Sequence, residues 1–91
     1  MPYRVILTVT ETRGEHPCGY YQVGDRITFQ GAEIVKEESG KLCLYALSSL
    51  PPYVTALSRD TPPTDWINRK ETIQCPDNDR PVIFKINRKP L

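Results

Sequence analysis

Two segments at opposite ends of the chain alternate apolar and polar side chains, which limits the fold to one built on a β-sheet. Residues 3–10 place Tyr3, Val5, Leu7 and Val9 on one face, and residues 81–87 repeat this pattern with Val82, Phe84 and Ile86. A period of two is typical of a half-buried strand. Both segments therefore need a layer that covers their apolar faces.

Two shorter segments share this alternation. Residues 26–30 follow the turn pair Gly24-Asp25 and end at Gly31, and residues 32–35 are expected to extend that strand. Residues 71–75 point Ile73 and Cys75 inward. The turn-forming residues 76–79 then lead into the last strand. The two final strands are thus predicted to pair as an antiparallel hairpin with a loop longer than two residues.

The middle of the chain has helical periodicity instead. Apolar residues recur at helical spacing between residues 42 and 50, and Pro51-Pro52 should end this helix and open a second one that runs to about residue 59. We predict a single α+β domain over residues 1–91, with a four-stranded, mainly antiparallel sheet. One or two short helices pack on one face of the sheet, in the order β-β-α-β-β.

Composition excludes several classes of protein. The 91 residues contain 12 Lys and Arg against 11 Asp and Glu, a net charge of +1, and no basic stripe interleaved with aromatic residues. We therefore expect no nucleic-acid partner. No apolar stretch approaches the roughly 20 residues that span a bilayer, and no secretory apolar region is recognisable. The expectation is a cytoplasmic protein without a membrane partner.

Three cysteines stand far apart in different local sequences, and they are the main chemical candidates. Cys18 lies in a polar loop, Cys43 opens the helical segment and Cys75 closes a predicted strand. With His16 they supply the four ligands of a Cys3His metal site, either for zinc or, through the thiolates, for an iron–sulfur cluster. The spacing lacks the close ligand pairs usual in structural zinc sites. The alternative is that the cysteines pack as small apolar side chains.

Catalysis has less support in the sequence. Cys43 near a helix start would favour a thiolate, but nucleophilic catalysis needs a base, and the one histidine is His16. No paired carboxylates and no phosphate-binding glycine loop occur, and Asp77 and Asp79 are predicted to form turns. The sequence therefore predicts no catalytic residue. A small-molecule pocket that includes Tyr45 and Trp66 is a further hypothesis.

Five blocks of sequence, in order, resemble a family of small, uncharacterised bacterial and archaeal proteins. The blocks are residues 18–25, 41–47, 62–66, 75–77 and 81–86. The resemblance implies a cysteine at each of the positions of Cys18, Cys43 and Cys75, and hence a shared role in metal or redox chemistry. Many members show a Gly-His pair after the first cysteine, where this chain has Gly19-Tyr20. The resemblance implies no activity.

These observations lead to two functional expectations. The first is a small non-enzymatic protein that forms a homo-oligomer or serves as an accessory or binding subunit for a protein partner, since unpaired sheet edges are templates for another chain. The second is a cysteine-based metal-binding or redox protein that uses Cys18, Cys43 and Cys75.

Overall fold

The computed structural model describes residues 2–91, whose five strands form one antiparallel sheet. The strands are β1 (Tyr3–Thr12), β2 (Arg26–Gln30), β3 (Glu33–Ile34), β4 (Thr72–Gln74) and β5 (Val82–Pro90). Their spatial order is β3-β2-β1-β5-β4, so the two terminal segments of the chain lie side by side at the centre. The predicted α+β class is confirmed.

The prediction of four strands is wrong, because residues 32–35 do not extend β2. Gly31 adopts a φ of +61°, a left-handed conformation that favours glycine and reverses the chain. The chain then returns as β3, which pairs Ile34 with Phe29 and Glu33 with Gln30. A two-residue strand is too short to show alternation, so its sequence contains no periodic signal.

The central strands are both longer than their apolar patterns. β1 continues past residue 10 because a β-bulge between Val9 and Glu11 shifts its register against β5. Such a bulge adds one unpaired residue and moves the following side chains to the opposite faces. β5 continues to Pro90, which lies opposite Tyr3. The alternation therefore ends before the backbone pairing does.

Two consecutive helices cover one face of the sheet, as predicted. They are α1 (Leu44–Ser49) and α2 (Pro51–Leu57), joined at Leu50, which keeps a right-handed helical conformation while Pro51 opens α2. The first helix starts at Leu44 and not at residue 42 as predicted, because Cys43 is extended with a ψ of 128°. The longest helix in residues 2–91 has seven residues, and no helix there is long and apolar enough to cross a membrane.

The core lies between this face and the helices. Its sheet side consists of alternate residues of the long strands, and its helical side of the apolar stripe of α1 and α2: Val5, Leu7, Val9, Ile27, Phe29, Val82, Phe84, Ala46, Leu50, Val54 and Leu57. Ile67 closes one side from a short 3₁₀ helix, Trp66–Arg69, that Asp65 caps. This arrangement buries the two predicted apolar patterns against each other.

The opposite face of the sheet is partly covered by the segment after β3. Thr28 is buried there, and its hydroxyl donates a hydrogen bond to the carbonyl of Glu38 at 3.0 Å. The carboxylate of Glu38 pairs with the guanidinium of Arg4 at 2.6 Å. A short 3₁₀ helix, Lys36–Glu38, positions these groups. One face of the sheet therefore packs on the helices, while the opposite face combines these polar contacts with the buried side chains of Ile6 and Ile83.

Candidate functional site

The three cysteines reach one cavity, although they come from three separate parts of the chain. The cavity has a volume of about 310 Å³ and lies at the end of the sheet where the loop before β2, the start of α1 and the β4–β5 hairpin loop meet. It is lined by Cys18, Tyr21, Cys43, Tyr45, Cys75, Pro76, Asp77, Arg80 and Val82. We refer to it as the cysteine cavity.

Tyr21 holds the loop before β2 against the start of α1. Its hydroxyl donates a hydrogen bond to the carbonyl of Lys41 and accepts one from the backbone N–H of Cys43, each at 3.0 Å. These bonds satisfy backbone groups on both sides of residue 42. They also keep Cys43 extended, so its half-buried side chain lies at the cavity.

The ring of Tyr21 is fixed by the core. It packs edge-to-face on Phe84, with ring centroids 5.5 Å apart, and Tyr21 as a residue is only 3% exposed. Burial raises the pKa of the Tyr21 hydroxyl to about 12, although the hydrogen bond from Cys43 acts in the opposite direction. The hydroxyl is therefore protonated at neutral pH and can donate to Lys41 while it accepts from Cys43.

A second set of contacts reinforces this junction from the solvent side. The ammonium group of Lys41 donates to the carbonyl of Tyr20 at 2.8 Å and lies 5.5 Å from the centre of the Tyr20 ring. The hydroxyl of Tyr20 donates to the carbonyl of Leu42 at 3.4 Å. Two short segments that form no regular strand are thereby joined, which brings Cys18 and Cys43 to the same cavity.

Cys75 is the most buried of the three cysteines. It is 7% exposed, and its sulfur accepts a hydrogen bond from the backbone N–H of Val82 at 3.3 Å. The backbone N–H of Cys75 donates in turn to the carbonyl of Val82 at 3.1 Å. The thiol therefore closes the base of the hairpin loop and contributes to the wall of the cavity.

The rest of that wall is the hairpin loop itself. One carboxylate oxygen of Asp77 accepts hydrogen bonds from the backbone N–H groups of Asp79 and Arg80, at 3.0 and 3.1 Å. This confirms the predicted turn-forming role of Asp77. Outside the loop, Gly14 lies with a φ of +108° so close to the carbonyl of Asp79 that a side chain there would overlap it.

The candidate residues named from sequence separate into two groups. Cys18, Cys43, Cys75 and Tyr45 line the cavity, whereas His16 is exposed in the preceding loop and is not among the lining residues. Within residues 2–91, no group of three or more His, Cys, Asp or Glu side chains is arranged to hold a metal ion. The metal site therefore stays a prediction.

Trp66 lies apart from the cavity. It is 58% exposed and packs edge-to-face on Tyr53, with ring centroids 6.5 Å apart. The lining residues include Tyr45 without Trp66. The cysteine cavity therefore contains one of the two aromatic residues of the pocket hypothesis, because the 3₁₀ helix Trp66–Arg69 places Trp66 against Tyr53 of α2.

Arg80 and Tyr21 are the lining residues that sequence reasoning did not single out. Arg80 follows a predicted turn, and Tyr21 follows Tyr20 in a polar loop. Neither has a motif around it, so no local pattern distinguishes these residues from ordinary loop positions. Tyr21 acquires its role through hydrogen bonds with residues 41 and 43, and Arg80 through the position of the hairpin loop beside Cys18 and Cys43.

Comparison with known proteins does not extend this description. No family model, curated protein or solved structure gives a significant match to the chain. The resemblance of the five sequence blocks to a family of small proteins stays a prediction.

Proposed function

We propose that this chain is a non-enzymatic binding protein whose ligand site is the cysteine cavity. The observation that supports this most is the convergence of three cysteines from distant parts of the chain on one cavity of about 310 Å³. Small-molecule sites are concave, mostly apolar, and about 300–1,000 Å³ in volume, with a few polar groups. Val82 and the thiols supply apolar surface, and Arg80 and Asp77 supply the polar groups.

The size of the cavity favours an organic ligand over a bare metal ion. A zinc ion needs its sulfur ligands at roughly 2.3 Å. The cavity volume of about 310 Å³ instead lies at the lower end of the range for small-molecule sites, about 300–1,000 Å³. No three His, Cys, Asp or Glu side chains of residues 2–91 are grouped to hold a metal ion, so the cysteines would have to move closer together to share one.

A cysteine-based metal or redox protein is the second candidate. It is supported by the same convergence, since Cys18 and Cys43 are both half-buried at the cavity and have free thiols. Zinc or an iron–sulfur cluster would require the three thiols to move closer together and a fourth ligand to join them. Anaerobic purification, elemental analysis and thiol counting test this candidate, and stoichiometric bound metal would favour it over an organic ligand.

A role as an accessory subunit or homo-oligomer is compatible with the binding function. The edge strands β3 and β4 have only two and three residues, so strand pairing with another chain has a short template. Leu44 and Tyr45 provide a larger apolar surface for contact with another chain, because they are 75% and 69% exposed at the start of α1. Size-exclusion chromatography with light scattering gives the oligomeric state, and a strict monomer would count against a homo-oligomer.

The binding function is tested by nuclear magnetic resonance with ¹⁵N-labelled protein and a panel of small aromatic and aliphatic compounds. The panel contains benzamide, benzoate, indole and cyclohexanol, each titrated to millimolar concentration. Saturable changes in chemical shift are expected for the backbone amides that border the cavity, such as those of Cys18, Cys43 and Val82. The absence of saturable shifts at these amides for every compound would overturn the proposal.

A matched pair of variants separates binding in the cavity from binding elsewhere. Cys18→Phe places a ring in the cavity, whereas Val23→Phe adds the same ring at a position in the same loop that is 67% exposed and outside the lining. Binding should be lost in the first variant and kept in the second. Equal binding by both variants would place the compounds at another site. Circular dichroism establishes that both variants are folded.

A further inference from the structure

Arg80 is the one positively charged side chain among the residues that line the cysteine cavity. It lies at the end of the hairpin loop, two residues before the start of β5, and is exposed. Its guanidinium has no hydrogen bond or ion pair with any side chain or carbonyl in residues 2–91. By contrast, Arg4 and Arg88 direct their guanidinium groups to acceptors within the protein. The guanidinium donors of Arg80, a residue of the cavity lining, are therefore free to bind a ligand.

Asp77, the acidic residue of the same wall, does not neutralise Arg80 directly. One of its carboxylate oxygens accepts hydrogen bonds from two backbone N–H groups of the loop, including that of Arg80 itself. These bonds hold the carboxylate against the backbone of the turn, and no ion pair joins Asp77 to the guanidinium within the described chain. The fork of donors on Arg80 is left for a group outside the protein.

We infer that the ligand of the cysteine cavity is a small organic monocarboxylate, with its carboxylate bound by Arg80 and its apolar body against Val82 and the thiols. This inference rests on the proposed function and specifies the ligand class. The guanidinium presents donors in a planar fork that matches a carboxylate bidentately. The neighbouring lining residues Tyr21, Val82 and Cys75 are buried and suit a flat or branched apolar group.

The volume limits the size of this ligand. A cavity of about 310 Å³ lies at the lower end of the range for small-molecule sites, about 300–1,000 Å³. A carboxylate with an apolar ring or a short branched chain suits this end of the range.

The test compares two probes of nearly the same shape, benzoate and the neutral benzamide, on the full chain. Dissociation constants are measured from amide shifts in low salt for the wild type, Arg80→Gln and Arg13→Gln. Arg13 is the control because it is exposed, pairs with Glu11 and lies outside the cavity lining. Wild type and Arg13→Gln should bind benzoate about three- to tenfold more tightly than benzamide, and Arg80→Gln should bind both alike.

The outcomes distinguish this inference from the function on which it rests. If the wild type binds the two probes equally and the amide shifts lie at the cavity, the assignment of a carboxylate ligand is overturned but the proposed binding function is not. A preference for benzoate that survives in Arg80→Gln would overturn the assignment to Arg80. If no compound of the panel binds at the cavity, both proposals fail. Asp77→Asn keeps an oxygen acceptor for the loop and should raise benzoate affinity, because it removes a negative charge from the rim.

Discussion

The hydroxyl of Tyr21 accepts a hydrogen bond from the backbone N–H of Cys43 at 3.0 Å, across 22 positions of the chain. The same hydroxyl donates to the carbonyl of Lys41. One side chain thus holds the start of α1 against the loop before β2 and sets the position of Cys43 at the cavity. The cavity depends on this buried junction as much as on the cysteines themselves.

Replacing Tyr21 with phenylalanine should destabilise the protein by about 1–3 kcal/mol. The substitution keeps the ring on Phe84 but leaves the N–H of Cys43 and the carbonyl of Lys41 without their partner, and unsatisfied part-buried groups carry such a cost. Urea unfolding followed by circular dichroism measures the change. The control is Tyr20→Phe, at an exposed position with a longer bond of 3.4 Å, which should alter stability by no more than about 0.5 kcal/mol. Equal losses in the two variants would contradict this role for Tyr21.

Stability should fall steeply in alkali because of the same hydroxyl. Burial raises the pKa of Tyr21 to about 12 from its ordinary value of 10.0. Between these values the folded state keeps a proton that the unfolded state has lost, so this contribution is complete below pH 10 and disappears as the pH rises to 12. The free energy of unfolding should decrease by roughly 1–3 kcal/mol across this interval.

Denaturant unfolding at several pH values measures this effect. The Tyr21→Phe variant is the reference, because it keeps the other tyrosines and the lysines. Their titration affects both proteins alike, so the difference in stability isolates the contribution of the Tyr21 hydroxyl. The difference in stability between wild type and this variant should shrink from pH 9.5 to pH 12. A difference that stays constant over this range would contradict the assignment.

Gly14→Ala should be much more destabilising than Gly24→Ala. Both glycines have a positive φ, +108° and +100°, so both substitutions introduce backbone strain of about 1–2 kcal/mol. Only at Gly14 would the new methyl group also overlap the carbonyl of Asp79, whereas at Gly24 it would enter open space. Gly14→Ala should therefore cost about 3 kcal/mol or more.

Thermal unfolding of the two glycine variants provides the comparison. Because Gly14 supports the hairpin loop from outside, its substitution should also displace the amide resonances of residues 77–80. Gly24→Ala should leave those resonances in place. Equal melting temperatures for the two variants would show that the close approach of Gly14 to Asp79 adds nothing to the cost of the substitution.

The three thiols should differ in their reactivity in the folded protein. Cys18 and Cys43 are half-buried at the cavity, whereas Cys75 is buried and its sulfur accepts the N–H of Val82. The thiols of Cys18 and Cys43 should react readily with a disulfide reagent such as dithionitrobenzoate. The third should react at least about tenfold more slowly, because it becomes accessible only through local opening.

Counting thiols with and without guanidinium chloride gives the number in each class, and single Cys→Ser variants assign them. Cys75→Ser should remove the slow phase and leave the two faster ones. Three thiols that react at one common rate would contradict the position of Cys75. Protection of Cys18 and Cys43 by benzoate would link these thiols to the ligand site.

The regular elements were largely predictable because their signals are local. Alternation in residues 3–10 and 81–87 predicted β1 and β5, and Pro51 predicted the junction between α1 and α2. Where the prediction was wrong, local patterning was missing: β3 has two residues, and the bulge after Val9 interrupts the alternation of β1. Helix α1 starts later than its apolar stripe because distant tyrosine hydroxyls engage residues 41–43.

The sequence by itself determined the class of the fold, since apolar periodicity dictates which faces must be buried and proline dictates where a helix ends. Only the tertiary structure decided that Cys18, Cys43 and Cys75 line one cavity, that His16 lies outside it and that Arg80 is part of its lining. The physical reason is that the loop before β2 and the start of α1 are joined by hydrogen bonds that Tyr20, Tyr21 and Lys41 make with backbone groups 20 to 22 positions away in the chain. Such bonds leave no periodic trace in the sequence, and they form only after the sheet has brought their segments together.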